Sequence, residues 1–159
     1  EEGTANVFRM HKDGCELTLF FRPRISGSVI EHGLGLYRRD SDQYFEPDYV
    51  VKLDRNGRND FIILDAKLAP TETLRHKIFD EVLDKYYTRT TTERQEDRVA
   101  IVWTLQGIQD TDTPFRGFES PVEKAHEGYR FPSFGNCLAH HLAQDGMEPF
   151  WQVFRKLLS

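Results

Sequence analysis

Asp48, Asp65 and Lys67 are the residues of this 159-residue chain whose types and spacing could do chemistry. Two carboxylates and an ammonium can together hold a hard divalent cation, activate a water beside it and stabilise charge on a phosphate. That requires the three to meet, which is a question of register. Asn56-Gly57 sits between two apolar runs, and Asn-Gly is the strongest short hairpin signal because both central residues tolerate positive φ. Counting outward from that turn, Leu53 faces Asp60, Lys52 faces Phe61 and Val50 faces Ile63. Asp48 then lands opposite Asp65, and Glu46 opposite Lys67. Side chains alternate along a strand, so all four share one face. The opposed carboxylates are expected about 5 Å apart at Cβ, a destabilising placement for like charges. Apolar Val50, Ile63 and Leu64 around them do nothing to relieve it, whereas a divalent cation would. Pro47 has no N–H for the ladder, so the strands can part beside the acids and open a pocket.

The elements that must position this set follow from patterning. Residues 44–53 and 60–68 read as the two strands of the hairpin. From 73 to 88, Leu74, Ile78, Val82 and Tyr86 recur at every fourth position, widened by Phe79, Leu83 and Tyr87. This is an amphipathic helix, expected to be capped by Thr71 or Thr73 after Pro70. The apolar run beginning at Val99 predicts a buried strand over 99–105, parallel to 60–68, so the helix makes a right-handed crossover between them. Upstream, 1–14 reads as a frayed or linking start, 16–22 as a strand, and 36–39 as a short strand in a Gly-rich passage. Downstream, 106–135 is dense in Pro and Gly and reads as a long loop-rich insertion at the mouth of the site or in a dimer contact. Two short helices close the chain, one capped by Asn136, the other with Pro149 in its first turn and Phe150, Phe154 and Leu157 on one face. The expectation is one α/β domain over 1–159, with a central mixed β-sheet flanked by helices.

Glu46-Pro47-Asp48, sixteen further residues, and Asp65-Ala66-Lys67 at the end of an apolar strand resemble the PD-(D/E)XK nuclease superfamily. The helix and buried strand that follow are similar to that family's core order. The resemblance spans about residues 44–105 and implies a restriction-endonuclease-like core acting as a divalent-metal-dependent endonuclease on DNA. By that resemblance Asp48 and Asp65 are metal ligands, joined by the backbone carbonyl of Ala66, and Lys67 stands beside the attacking water. The metal it implies is Mg²⁺ or Mn²⁺. Many members draw a further acid from a helix ahead of the first strand; here Glu31 or Glu46 would take that part. Some carry a Gln-x-x-x-Tyr signature on the helix after the lysine. This helix has Lys85, Tyr86 and Tyr87 but no Gln, which argues against that subgroup and leaves Lys85 and Tyr86 as candidate support. Such modules often occur in defence and modification-dependent restriction proteins.

Composition bounds these readings. With 38% hydrophobic and 30% charged residues the chain is not disordered, and no window approaches the roughly 18 apolar residues of a membrane span. A net charge of −5 argues against nucleic-acid binding through bulk positive charge, leaving a local basic face. Arg22, Arg24, Arg38, Arg39, Lys52, Arg55 and Arg58 are candidates for it, but six acids lie among them, as on any mixed surface. Cys15 and Cys137 cannot build a disulfide framework, so a reducing, cytoplasmic compartment is the default. Cys137, His140 and His141 lack a second cluster to complete a zinc site, and His11, His32, His76 and His126 are scattered. The start at Glu1 without a signal peptide suits a piece of a longer protein. Two alternatives to the nuclease stand: the same fold kept as a catalytically silent DNA-binding or assembly scaffold, or a metal-dependent RNA or nucleotide hydrolase. A homodimer would suit cleavage of both strands of a duplex.

Overall fold

The Asn-Gly hairpin organises the molecule. In the computed structural model, which describes residues 6–27, 33–107, 133–138 and 148–158, β4 (Tyr49–Arg55) and β5 (Arg58–Lys67) are antiparallel neighbours. Asn56 and Gly57 take φ of 53° and 78°, and the Asp54 carboxylate accepts the Gly57 N–H at 3.1 Å. Val50 pairs with Ile63 and Leu53 with Asp60, the register counted from the turn. The expected strand start at 44 is corrected, because the ladder ends at Tyr49–Leu64. Pro47 has no N–H to continue it, and Phe45 exchanges two 2.8 Å backbone hydrogen bonds with Ile25 instead.

On the outer side of β4 lies β2 (Cys15–Phe21), and beyond it β1 (Asn6–Lys12). Half of the expected frayed start, Asn6–Lys12, is therefore an edge strand. Asp13 and Gly14, at φ of 51° and 77°, form its turn with the chemistry of Asn56-Gly57. The short β3 (Leu36–Arg38) pairs with β6 (Thr90–Thr92) in a separate two-stranded sheet.

On the inner side, β5 runs parallel to β7 (Arg98–Gln106), with Asp65 beside Thr104 and Lys67 beside Gln106. Between them runs helix α1, residues 71–88, which alternates α turns (Thr71–Thr73, Phe79–Leu83) with π turns (Leu74–Ile78, Asp84–Thr88). The π turns add a residue, so the buried stripe runs Leu74, Phe79, Val82, Tyr86 and Ile78 lies only partly buried at its margin. Neither Thr71 nor Thr73 caps the helix. Pro70 occupies the cap position, and the Thr71 hydroxyl is hydrogen-bonded to Gln106.

The helix expected from Asn136 is corrected as well: Ser133–Leu138 is β8, parallel to β7, with Asn136 beside Thr104. Gly and Asn at its centre are weak helix formers, and the free edge of β7 supplies hydrogen-bond partners that an isolated turn lacks. Helix α2 (Glu148–Leu158) forms as the pattern predicts. The main sheet has the order β1-β2-β4-β5-β7-β8 and is mixed. One face buries Val50, Phe61, Ile63 and Val102 against α1; the other buries Ile62, Ile101 and Trp103 against Phe150 of α2. The fold is thus mixed α/β, and no helix among the described residues is long and apolar enough to cross a membrane.

Candidate active site

The last ladder pair of the hairpin, Tyr49–Leu64, sets Asp48 and Asp65 as the next pair beyond it, on the face that packs against α1. Asp48 is held twice. Its carbonyl accepts the Arg22 N–H at 2.8 Å, and its carboxylate oxygen Oδ2 accepts the Ala66 N–H at 2.7 Å. The carboxylate thus takes the donor that a continued ladder would use. Within a strand a residue's C=O points to the same side as its N–H, so the Ala66 carbonyl also faces this opening, and Pro47 opposite has no donor for it.

Asp65 is 5% exposed, and its Oδ2 lies 2.6 Å from Lys67 Nζ. The ammonium's direction of approach is poor, and Oδ2 is a buried oxygen without an aligned hydrogen bond. Burial pushes the Asp65 carboxyl above the ordinary range; Lys67 and Lys85 pull it back, and the Asp48 charge pushes it further up. Tyr86 is fully buried, with its hydroxyl toward the Asp65 carboxylate. Burial and then the charges of Asp65, Asp48 and Glu46 push its phenol far up, so it acts as a donor and never as a phenolate.

Lys85 and Tyr86 both come from the second π turn, and Lys85 Nζ sits 5.1 Å from the Tyr86 ring centre. Tyr86 in turn meets Phe45 edge-on at 6.1 Å. Arg38 at 4.1 Å, Lys85 at 5.4 Å and Arg89 at 5.9 Å surround the Phe45 ring, with Asp40 paired to both arginines and Asp84 to Arg89.

The structure brings together Asp48, Asp65, Ala66, Lys67, Lys85 and Tyr86. It does not bring Glu46 to Lys67. The chain leaves the ladder at Asp48, and the Glu46 carboxylate pairs with Arg22 and, at 3.7 Å, with Arg24. Glu31, most of the 106–135 segment, His32, His126, His140 and His141 lie outside the described residues. Cys137 lies on β8 and not on a helix; His11 and His76 are exposed and near Glu16 and Glu72. Sequence reasoning missed Gln106. It is fully buried beside Lys67, its Nε2 donates to the Ala69 carbonyl at 3.1 Å, and it ties the end of β5 to the start of α1. A polar residue closing the apolar strand of Val99 to Leu105 was the available signal.

Among the described residues no group of three or more His, Cys, Asp or Glu converges on one point. Asp48 and Asp65 are a two-carboxylate set. With a backbone carbonyl and waters, that set fits a hard octahedral cation such as Mg²⁺, which keeps several waters. The orphaned buried oxygen of Asp65 is the feature such a cation would satisfy. Two cavities, of about 490 and 420 Å³, lie at the β1–β2 turn, and neither is lined by Asp48 or Asp65. No protein-family model, curated protein or solved structure matches the chain.

Proposed function

We propose that this chain is a divalent-metal-dependent nuclease hydrolysing DNA phosphodiester bonds on a restriction-endonuclease-like core. One observation carries the reading: a buried carboxylate oxygen on Asp65 lacks an aligned donor while Asp48 stands opposite and Lys67 lies 2.6 Å away. Mg²⁺ or Mn²⁺ bound there would polarise the scissile phosphate and lower the pKa of a coordinated water. Asp48, Asp65 and the Ala66 carbonyl are the groups that would hold it. Lys67, beside Asp65, orients the attacking water and stabilises charge on the phosphoryl oxygens. Tyr86 fixes the Asp65 carboxylate, and Lys85 adds positive charge behind it. Arg22, 60% exposed, retains donors beyond the one used on Glu46, and with the 53% exposed Arg24 beside it suits the flanking phosphates. A homodimer, further domains and a reducing cytoplasmic setting complete this reading, in keeping with the free thiol of Cys15.

The test is cleavage of plasmid DNA and of RNA with Mg²⁺, Mn²⁺ or EDTA. Metal-dependent nicking of plasmid, lost with EDTA and in Asp65→Asn, is the expected result. Cleavage of RNA alone would move the substrate class. Absence of cleavage together with absence of any Mg²⁺-dependent rise in Tm would leave the scaffold.

A further inference from the structure

Strand β1 has one partner among the described residues, β2, so its outer edge carries backbone groups without a ladder. The two-residue turn Asp13-Gly14 makes Lys12–Cys15 a hydrogen-bonded pair, and by alternation Val7, Arg9 and His11 turn their N–H and C=O outward. Natural edges are blunted by charged side chains, which β1 has in Arg9 and Lys12, and by Pro, bulges or inward-pointing charges. β1 has no Pro, and its register with β2 is unbroken over its whole length. Its apolar side chains stand in water: Val7 is 46%, Phe8 60% and Met10 52% exposed.

The two faces of this edge differ in chemistry. Arg9 and His11 lie on one face with Val7, and β1 contains no acid, in a chain of net charge −5. Glu16, inboard on β2, lies 3.4 Å from His11. Phe8, Met10 and Lys12 lie on the other face, and Met10 and Lys12 border the cavity of about 420 Å³ that Leu17, Leu53, Phe154 and Leu158 also line. A second copy of β1 added antiparallel about Arg9 would set that guanidinium against its own copy, a like-charge placement that destabilises a sheet.

We propose that the β1 edge is a docking site for an extended, acidic segment of another protein. The segment adds as a further strand, with carboxylates over Arg9 and His11 and apolar side chains over Phe8 and Met10. This inference is independent of the nuclease reading.

The probes are two short labelled peptides, one alternating Val and Glu, the other alternating Val and Lys, titrated by fluorescence anisotropy. The acidic peptide is expected to bind roughly tenfold more tightly than the basic one, with Arg9→Glu reversing that order. Val7→Pro removes an outward N–H without touching an internal ladder bond, and is expected to abolish binding while leaving Tm unchanged. Equal binding of both peptides, binding that survives Val7→Pro, or no binding at all would overturn the proposal. So would a concentration-dependent dimer in sedimentation that disappears in Val7→Pro, since the edge would then belong to a second copy.

Discussion

The two ends of β5 each bury an aspartate and treat it in opposite ways. At the turn end, Asp60 is 1% exposed and meets Arg55 and Arg58 at 3.2 Å and Arg98 at 2.6 Å. Its neighbour Asp97 accepts hydrogen bonds from Arg94 and from the backbone and side chain of Asn59. Burial alone would raise the Asp97 carboxyl, but those donors outweigh it and hold it below the ordinary range. The orphaned atoms at this end, Arg58 Nε and Asn59 Oδ1, are not on the acids. At the open end Asp65 has one lysine, an opposing carboxylate and an oxygen without an aligned donor, and its carboxyl is pushed up. A scaffold that can surround a carboxylate with arginines, and does so a few residues away, has the means to satisfy Asp65. That difference is what marks Asp65 as the candidate site and Asp60 as a support.

The largest effect expected from this contrast is on catalysis. Asp65→Asn and Lys67→Ala should each lower metal-dependent plasmid cleavage by roughly 10²-fold or more, whereas Asp60→Asn should leave the rate per folded molecule near wild type. Lys67→Ala should keep the Mg²⁺-dependent rise in Tm, because an ammonium does not ligate a cation. A Lys67→Ala protein that loses the Mg²⁺ shift while retaining cleavage would erase the distinction.

Stability should invert the order. Asp60→Asn leaves three arginines facing a neutral amide and should cost about 2–3 kcal/mol in urea melts, at or below the usual range for a broken buried pair because each arginine is about a third exposed. Asp65→Asn, measured without metal, should be neutral or stabilising by up to about 1 kcal/mol, since it removes the repulsion from Asp48.

The pH dependence should carry opposite signs. A carboxyl raised in the folded state costs stability as pH climbs from about 4 through its folded value, and Asp65→Asn should abolish that fall. A carboxyl lowered in the folded state contributes stability above about pH 4 that is lost as pH drops through its folded value, and Asp97→Asn should abolish that loss. Tm measured between pH 3 and 8 for the three proteins tests both arms. The smallest effect belongs to Tyr86→Phe. It removes the hydroxyl but keeps the ring against Phe45, and should lower cleavage a few-fold and stability by about 1 kcal/mol.

The juxtaposition of Asp48 and Asp65 was legible because a two-residue turn fixes register and register is arithmetic. The crossover helix and β7 were legible because their periods are unambiguous. Glu46 was not, because the same Pro47 that opens the strands also ends the ladder, and counting past that point continues a pattern the backbone has abandoned. The turn after β1 bears an Asp-Gly hairpin signal, but its polar surroundings mask the strand that leads into it. The π turns left only a trace in the sequence, namely that Phe79 rather than Ile78 is the buried member of the stripe. β8 could not be read from its own six residues, since its strand state depends on the edge of β7, an interaction across a long stretch of chain.

Asp48 and Asp65 lie equally far along the chain from Asn56-Gly57, one on each side, so the turn works as a ruler for the site. Inserting one residue into it would move Asp48 a step against Asp65 and turn its side chain to the opposite face, without touching the site itself. Inserting two residues on each side of the turn would lengthen the hairpin, keep the acids opposed and preserve which pairs of the ladder are hydrogen-bonded. Length changes at this exposed tip, far from the acids, are therefore tolerated only in matched pairs.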